Sequence, residues 1–374
     1  MDKPIRVLHV VAAMNRGGAE SFIMNVYREI DRKKIQFDFA VTAEQECHFD
    51  KEIKELGGKI IKHPNPSKYG INQFLNELKK TIINGQYRVI HSHVHNFSGF
   101  IMKLGKKLGV PVRLAHSHST QDGKSNSLPR ILYRWYTKKL ILKYSTHLPG
   151  CSKAACEALF GSKCWEDKRT IVIPNAINIE LYKKLYNVED NYLREELQIP
   201  KNVPLIGHIG SFSKPKNHEF LIDIFQSYNK RITDSHLLLV GDGELKEQIV
   251  NLVKLKGLEK NVHFLGVRSD VPKILNSIDL LLFPSLYEGL PTVLVEAQTA
   301  GVPCVVSNTI TREVDLGAGL IKFVDLDDNL NNWLSEINGS ITIKRPEWNT
   351  RFYALQKHGF DLKKVISTLE SIYV

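Results

Sequence analysis

In the stretch "LYEGLPTVLVEAQ", Glu288 stands before a glycine and a proline, and Glu296 lies eight residues on within an apolar run. Pro291 fits a first helical position, where the missing N–H costs nothing, so a helix is expected to start there. The free amides of Thr292 and Val293 would then leave the helix start as a phosphate site, favoured by the helix dipole. Glu296, one turn in, would accept from paired hydroxyls such as those of a ribose. Glu288, before the helix, would reach hydroxyls beyond the phosphates. The spacing suits a molecule with two sugars and phosphates between them. Taken alone, the pair reads equally well as a helix cap and a surface charge.

A second corner, "GSFSKPKNHEFLI" at residues 210–222, carries Lys214 and Lys216 ahead of another helix. A lysine there supplies a point charge to a phosphate without a metal. Gly241 and Gly243 in "VGDGE" read as a tight turn rather than a ligand contact. In the first half, Gly17 and Gly18 of "NRGGAE" let the backbone approach a ligand before a further helix start. Histidines cluster as His91, His93 and His95, and as His116 and His118. Alternate strand positions share a face, so these sets resemble the residue types of a metal site and raise a metal-dependent hydrolase as a competing class. No acidic ligands accompany them, and no metal is expected.

These corners need parallel strands to hold them. "IRVLHVVAA", "QFDFAVTA", "KIIKHP", "YRVIHSHV", "PVRLAHSHS" and "THLPGCS" are short apolar runs, most of them followed by helix-like segments. After a polar, proline-bracketed stretch the rhythm resumes with "PLIGHIGSF", "SHLLLVGDG", "VHFLG", "DLLLFPS" and "PCVVSN". Strands alternating with helices imply α/β domains with parallel sheets covered on both faces. The expected organisation is a Rossmann-like domain over 1–175, a linker over 176–202, a second Rossmann-like domain over 203–350 and a C-terminal segment over 351–374. That segment ends in an amphipathic helix with Leu362, Val365, Ile366, Leu369 and Ile372 on one side, and is expected to cross back and pack on the first domain. Ligands of such sheets bind beyond the carboxyl ends of the strands, so two domains facing a cleft are expected to share the substrate.

The chain of 374 residues carries a formal charge of +11, distributed as +13 over residues 1–180 and −2 over the remainder. A basic front half implies an anionic partner: phosphorylated substrate, lipid surface or nucleic acid. "SLPRILYRWYTKKLILKY" at 127–144 sets Arg130, Arg134 and Lys138 at helical intervals, with Leu128, Ile131, Leu132, Trp135 and Leu140 around the helix. Basic heads beside an aromatic and aliphatic face suit an anionic membrane surface; the same apolar stripe also suits a domain core. No run is long enough to span a bilayer, and the opening residues lack the layout of a signal peptide. A cytoplasmic protein is expected, held peripherally on the inner face of the cytoplasmic membrane. Five cysteines without CxxC pairs read as free thiols.

"GSFSKPKNH", "VGDGE", "FLG" and "LFPSLYEGLPTVLVEAQTAGVPCV", in this order and spacing, resemble the donor half of the retaining family 4 glycosyltransferases of GT-B fold. "NRGGAE" and "HSHSTQ" extend the resemblance over nearly the whole chain, toward bacterial enzymes of exopolysaccharide, capsule and lipid-linked oligosaccharide synthesis. The resemblance implies a hexosyltransferase that uses a nucleotide-diphosphate sugar, with UDP as its nucleotide, and needs no cofactor or metal. Glu288 would contact the transferred sugar and Glu296 the ribose. Lys216 and the amides of Gly289, Leu290, Pro291, Thr292 and Val293 as a group would hold the diphosphate, although Pro291 itself has none to give. Gly17 and Gly18 would lie at a donor or acceptor contact. His118 would stand beside the reacting sugar, with His116 the fallback and His93 nearby on the acceptor side. The acceptor would be a saccharide, often lipid-linked; no nucleic acid is implied. The family's arginine after the loop glycine is here Ser211, leaving Lys214 to substitute, and the family's proline–asparagine–glycine reads Pro174-Asn175-Ala176. Two other classes compete: a nucleotide-sugar epimerase or hydrolase of similar build, and a non-catalytic subunit that requires a partner. The sugar, the linkage and the oligomeric state are not encoded in any of these motifs.

Overall fold

The computed structural model describes residues 4–120, 127–188 and 192–374. Gln121 of the "HSHSTQ" motif and residues 189–191 of the expected linker lie outside them. The chain divides into two compact units, one of residues 1–176 with 362–374, the other of residues 177–361.

In the first unit the apolar runs form β1 (Ile5–Val10), β2 (Ile35–Val41), β3 (Lys59–Lys62), β4 (Val89–Ser92) and β5 (Val112–Ala115), in the order β3-β2-β1-β4-β5. All pairings are parallel, with His9 opposite His91 and His91 opposite Leu114. A short parallel pair, β6 (Leu148–Gly150) and β7 (Thr170–Val172), follows. Every residue of β2 is buried, including Asp38. Its carboxylate is satisfied by Arg6, by the Tyr87 hydroxyl at 2.8 Å and by the Lys59 amide at 2.9 Å, as a buried charge requires.

The second unit repeats the plan with β8 (Leu205–Ile209), β9 (His236–Val240), β10 (Val262–Gly266), β11 (Leu280–Phe283), β12 (Cys304–Ser307) and β13 (Ile321–Val324). Their order is β10-β9-β8-β11-β12-β13, again all parallel. Trp333, on the helix Leu330–Ile341, and Phe225 fill its core.

The C-terminal boundary differs from expectation. Residues 351–374 are two helices in different units: Trp348–Lys357 belongs to the second, and Leu362–Tyr373 to the first. Gly359, at φ +81°, supplies the left-handed residue that ends the first helix and lets the chain depart. Leu362, Val365, Leu369 and Tyr373 join the core of the first unit, with Ile366 and Ile372 partly buried against it. The expected linker 176–202 belongs, from Ile177 on, to the second unit, where its described residues include the short helices Ile179–Lys183 and Tyr192–Glu196. All five cysteines are buried thiols outside any disulfide.

Candidate functional site

The two corners of the second unit meet at the carboxyl ends of β8 and β11. Lys216 Nζ lies 2.6 Å from Glu288 Oε1, with the two side chains only 15% and 17% exposed. Backbone geometry fixes this approach. Asn217 adopts the left-handed region at φ +54° and donates from Nδ2 to the Pro284 carbonyl at 3.1 Å, while the Leu286 amide donates to the Pro215 carbonyl at 2.7 Å. The two loops are therefore stitched together on either side of the ion pair. The ammonium also lies 4.7 Å from the Phe283 ring centroid, a cation–π distance.

Beneath the lysine lie two buried imidazoles, His208 and His218. Burial, and then the neighbouring Lys216 charge, lower the His218 pKa to about 4; burial also holds His208 well below its ordinary value, with His218 and Lys216 adding to it. Both are neutral near pH 7, so the lysine carries the cationic charge of this corner. Gly241 explains how the next loop approaches: a Cβ there would meet the Gly210 carbonyl oxygen at 2.0 Å, and its φ of +140° favours glycine. The expectation of a turn rather than a contact describes this packing. Ser211 and Lys214 are exposed, and Ser211 Oγ lies 3.0 Å from Ser213 Oγ.

The helix after Glu288 runs Thr292–Ala300, with Pro291 as its N-cap rather than its first residue, a shift of one position. Gly289 and Leu290 are buried in the turn before it. The Leu294 amide bonds back to the Pro291 carbonyl, which leaves the amides of Thr292 and Val293 as the helix-start donors. Two hydroxyls of this corner, Thr292 Oγ1 and Ser285 Oγ, are buried without a protein partner. Orphaned buried donors beside a helix start are what an anionic ligand would satisfy. Glu296 is the fifth residue of the helix. Its carboxyl lies against Tyr182, which is 4% exposed, and burial raises the Glu296 pKa to about 7 although the Tyr182 hydroxyl opposes the shift. Tyr182 and His208 stand outside the motifs, and Ser285, Asn217 and His218 lie within them without a role assigned from sequence; the fold brings all of them to this corner.

In the first unit Gly17 is the N-cap of the helix Gly18–Glu29. The helix start already holds a carboxylate of its own: a Cβ on Gly17 would meet Glu20 Oε2 at 2.3 Å. Burial raises the Glu20 pKa to about 6 against the pull of its own backbone amide. The expected anion site at Gly17 and Gly18 is thus one that Glu20 contests.

The histidines form a stack rather than a strand face. β4 ends at Ser92 and β5 at Ala115, so His93, His116 and His118 follow the strand ends, and His95 leaves the line at φ +47°. His9, from β1, joins them. Two chains of ring hydrogen bonds run through the stack. One links His9 Nδ1 to His93 Nε2 at 3.0 Å and His93 Nδ1 to His118 Nε2 at 2.8 Å. The other links the Tyr373 hydroxyl to His91 Nδ1 at 2.7 Å and His91 Nε2 to His116 Nδ1 at 3.0 Å. Burial lowers every one of these imidazoles, His9 to about 3, His118 to about 4 and the others well below their ordinary value, so all five are neutral. Asn175 opposes the shift at His118, yet His118 Nδ1 and Asn175 Oδ1 both lack a properly aligned partner, and burial prevails. His116 is completely buried, whereas His93 and His118 are partly exposed. The ring nitrogens of His9, His91 and His93, and those of His93, His116 and His118, lie within 4.8 Å of one another, close enough to surround a cation, although the rings are already paired with each other.

Comparison with known proteins matches this architecture. The family model for glycosyltransferase family 4 covers residues 16–181, and that for group 1 glycosyl transferases covers residues 189–314. A Bacillus subtilis (strain 168) protein named as glycosyltransferase EpsF is 34% identical over 98% of this chain and 96% of its own. The UDP-Gal:α-D-GlcNAc-diphosphoundecaprenol α-1,3-galactosyltransferase of Escherichia coli is 27% identical over 79% of this chain and 78% of its own. Among solved structures, Anabaena HepE in complex with UDP-glucose superposes with a TM-score of 0.73 at 20% identity, covering 98% of this chain and 99% of that one. With a relative matched from end to end and a family model on each half, the chain belongs to the family 4 glycosyltransferases and has their GT-B fold of two Rossmann-like halves.

Proposed function

We propose that the protein transfers a hexose from a UDP-sugar to a lipid-linked saccharide with retention of anomeric configuration and without a metal, as a step in surface polysaccharide synthesis. The Lys216–Glu288 pair above the helix start carries this reading. Lys216, the amides of Thr292 and Val293 and the orphaned hydroxyls of Ser285 and Thr292 would receive the diphosphate. Their donors face the charge that grows on the departing phosphate, the condition for electrostatic stabilisation of a transition state. Glu288 would turn from the lysine to hydroxyls of the transferred sugar, and Glu296 would accept from the ribose. His118, neutral and partly exposed, serves as a polar group, since a pKa lowered to about 4 makes it only a weak base. In retaining transfer the departing phosphate oxygen can take the acceptor's proton, so no basic side chain is required. The E. coli relative's donor and its diphosphoundecaprenol acceptor support the choice of a UDP-sugar and a lipid-linked acceptor.

Membrane contact belongs to the same proposal. On the helix Leu128–Tyr144, Leu128, Ile131, Leu132 and Trp135 are 49–70% exposed, while Thr137, Leu140 and Ile141 face the core. Lys139 lies over the Trp135 ring at 3.7 Å, so cations and apolar groups share the exposed side. No helix among the described residues is long and apolar enough to cross a membrane, and a peripheral contact needs none.

Product analysis after incubation with UDP-sugars, a lipid-linked diphosphate saccharide and excess EDTA is the direct test. Sugar transferred with an α-linkage from an α-linked donor, undiminished by EDTA, is the expected result. Consumption of donor without a saccharide product would replace the transferase by a hydrolase or epimerase.

A further inference from the structure

The second unit contains a cavity of about 750 Å³ away from the donor loops. It is lined by residues at the opposite, amino-terminal edge of the sheet: Lys201 before β8 and Asp279 before β11. Its walls bring together five cations and only two carboxylates. One of the two, Asp279, is already committed to Arg194 at 2.7 Å and to the Leu205 amide at 2.8 Å. The other, Glu347, accepts from the Tyr186 hydroxyl.

Arg345 and Arg351 form the inner wall. Arg345 donates to the Asn276 and Ile278 carbonyls at 3.1 and 2.7 Å, at the end of one helix, and Arg351 donates to the Thr299 carbonyl at 3.1 Å, at the end of the helix that carries Glu296. These helix ends offset part of the charge. They do not use all of it. Arg351 is 5% exposed, and its Nε is buried with no partner. Burial lowers the pKa of both guanidiniums, and the Arg345 charge lowers Arg351 further. Asp279 acts on Arg345 and Glu347 on Arg351, so the protein offsets part of this charge; the wall still sets five cations against two carboxylates, with the buried Arg351 Nε unsatisfied and Lys201 and Lys344 exposed beside it.

We propose that this cavity binds a phosphate-class anion, a phosphate monoester or a diphosphate, held by Arg345 and Arg351 and closed by Lys201 and Lys344. Its volume is in the range of small-ligand sites. Tyr182 lines the cavity and also lies against Glu296, so the two sites share one side chain. The site stands whether or not the donor reading holds.

The test is calorimetric titration with inorganic pyrophosphate of the wild type, of Lys216→Gln and of the double variant Lys201→Gln/Lys344→Gln. The last changes only exposed residues and avoids the helix-capping arginines, whose loss endangers folding. A binding event that survives Lys216→Gln and weakens at least about tenfold in the double variant is expected. No binding, binding abolished by Lys216→Gln, or binding indifferent to the double variant would overturn the proposal. Flotation with phosphatidic-acid vesicles separates the two sources of such an anion. Flotation weakened in the double variant assigns a lipid headgroup, and unchanged flotation assigns a soluble phosphate.

Discussion

The hydroxyl of Tyr373, next to last in the chain, lies 2.7 Å from Nδ1 of His91 on β4, and both side chains are buried. The terminal helix thereby closes one of the two imidazole chains of the first unit as well as its core. Tyr373→Phe would leave His91 Nδ1 unsatisfied in the interior, at a cost of about 1–3 kcal/mol. Denaturant unfolding of the first unit's signal should shift by that amount. Val374→Ala, next door and 79% exposed, should leave it unchanged.

The donor corner separates binding from transfer. Glu288→Ala should remove transfer while UDP affinity falls little, because the lysine and helix amides stay in place. Glu296→Ala should weaken UDP binding about tenfold, the worth of a hydrogen bond or two to a charged group. Titration calorimetry beside initial rates decides it. Equal losses of both quantities in both variants would contradict the assigned roles.

Glu296 also sets a pH dependence. Its folded pKa of about 7 lies above the ordinary carboxyl value of 4.5. Its contribution to stability is therefore fully present below pH 4.5, is lost as the pH rises toward 7, and is constant above that. Glu296→Gln should flatten the stability profile in that window. A ribose hydroxyl prefers the ionised carboxylate as acceptor, so affinity for a UDP-sugar, whose diphosphate diester does not titrate there, should rise through pH 7 in the wild type alone. Parallel profiles for wild type and variant would show that the carboxyl titrates elsewhere.

Much of the fold is legible in the sequence because each strand is a short apolar run closed by glycine, proline or a helix-like segment. β7 and β13 escaped because "TIV" and "IKFV" are too short to stand out. At the C-terminal end only the boundary was misplaced, at 351 instead of near 361: the helices before and after Gly359 are both amphipathic, and periodicity alone does not assign the earlier one to the second unit. At the site, the glutamate spacing and the lysine corner were readable because local motifs carry them. The Lys216–Glu288 pair, 72 residues apart in the chain, was not, nor was the contact of Tyr182 with Glu296. The histidine spacing suggested a shared face on one strand. The stack instead gathers the ends of three neighbouring strands, a consequence of sheet order that no single segment encodes.

The helix Leu128–Tyr144 carries the last prediction. Single exposed apolar residues are ordinary on protein surfaces, but Leu128, Ile131, Leu132, Trp135 and Tyr136 are adjacent on one helix, each more than 40% exposed. Their cationic neighbours favour anionic headgroups, which attract nearby Lys and Arg at about 1 kcal/mol each. Protein should therefore float with vesicles rich in phosphatidylglycerol and not with neutral phosphatidylcholine. Reversing the charges of residues 130–139 should abolish flotation, and Trp135→Ser with Leu132→Ser should weaken it at any salt concentration. High salt should weaken wild-type binding, since screening acts on exposed charges and not on apolar insertion. Equal binding to neutral and anionic vesicles would remove the electrostatic part of the proposal, and an absence of binding to either would remove the membrane contact altogether.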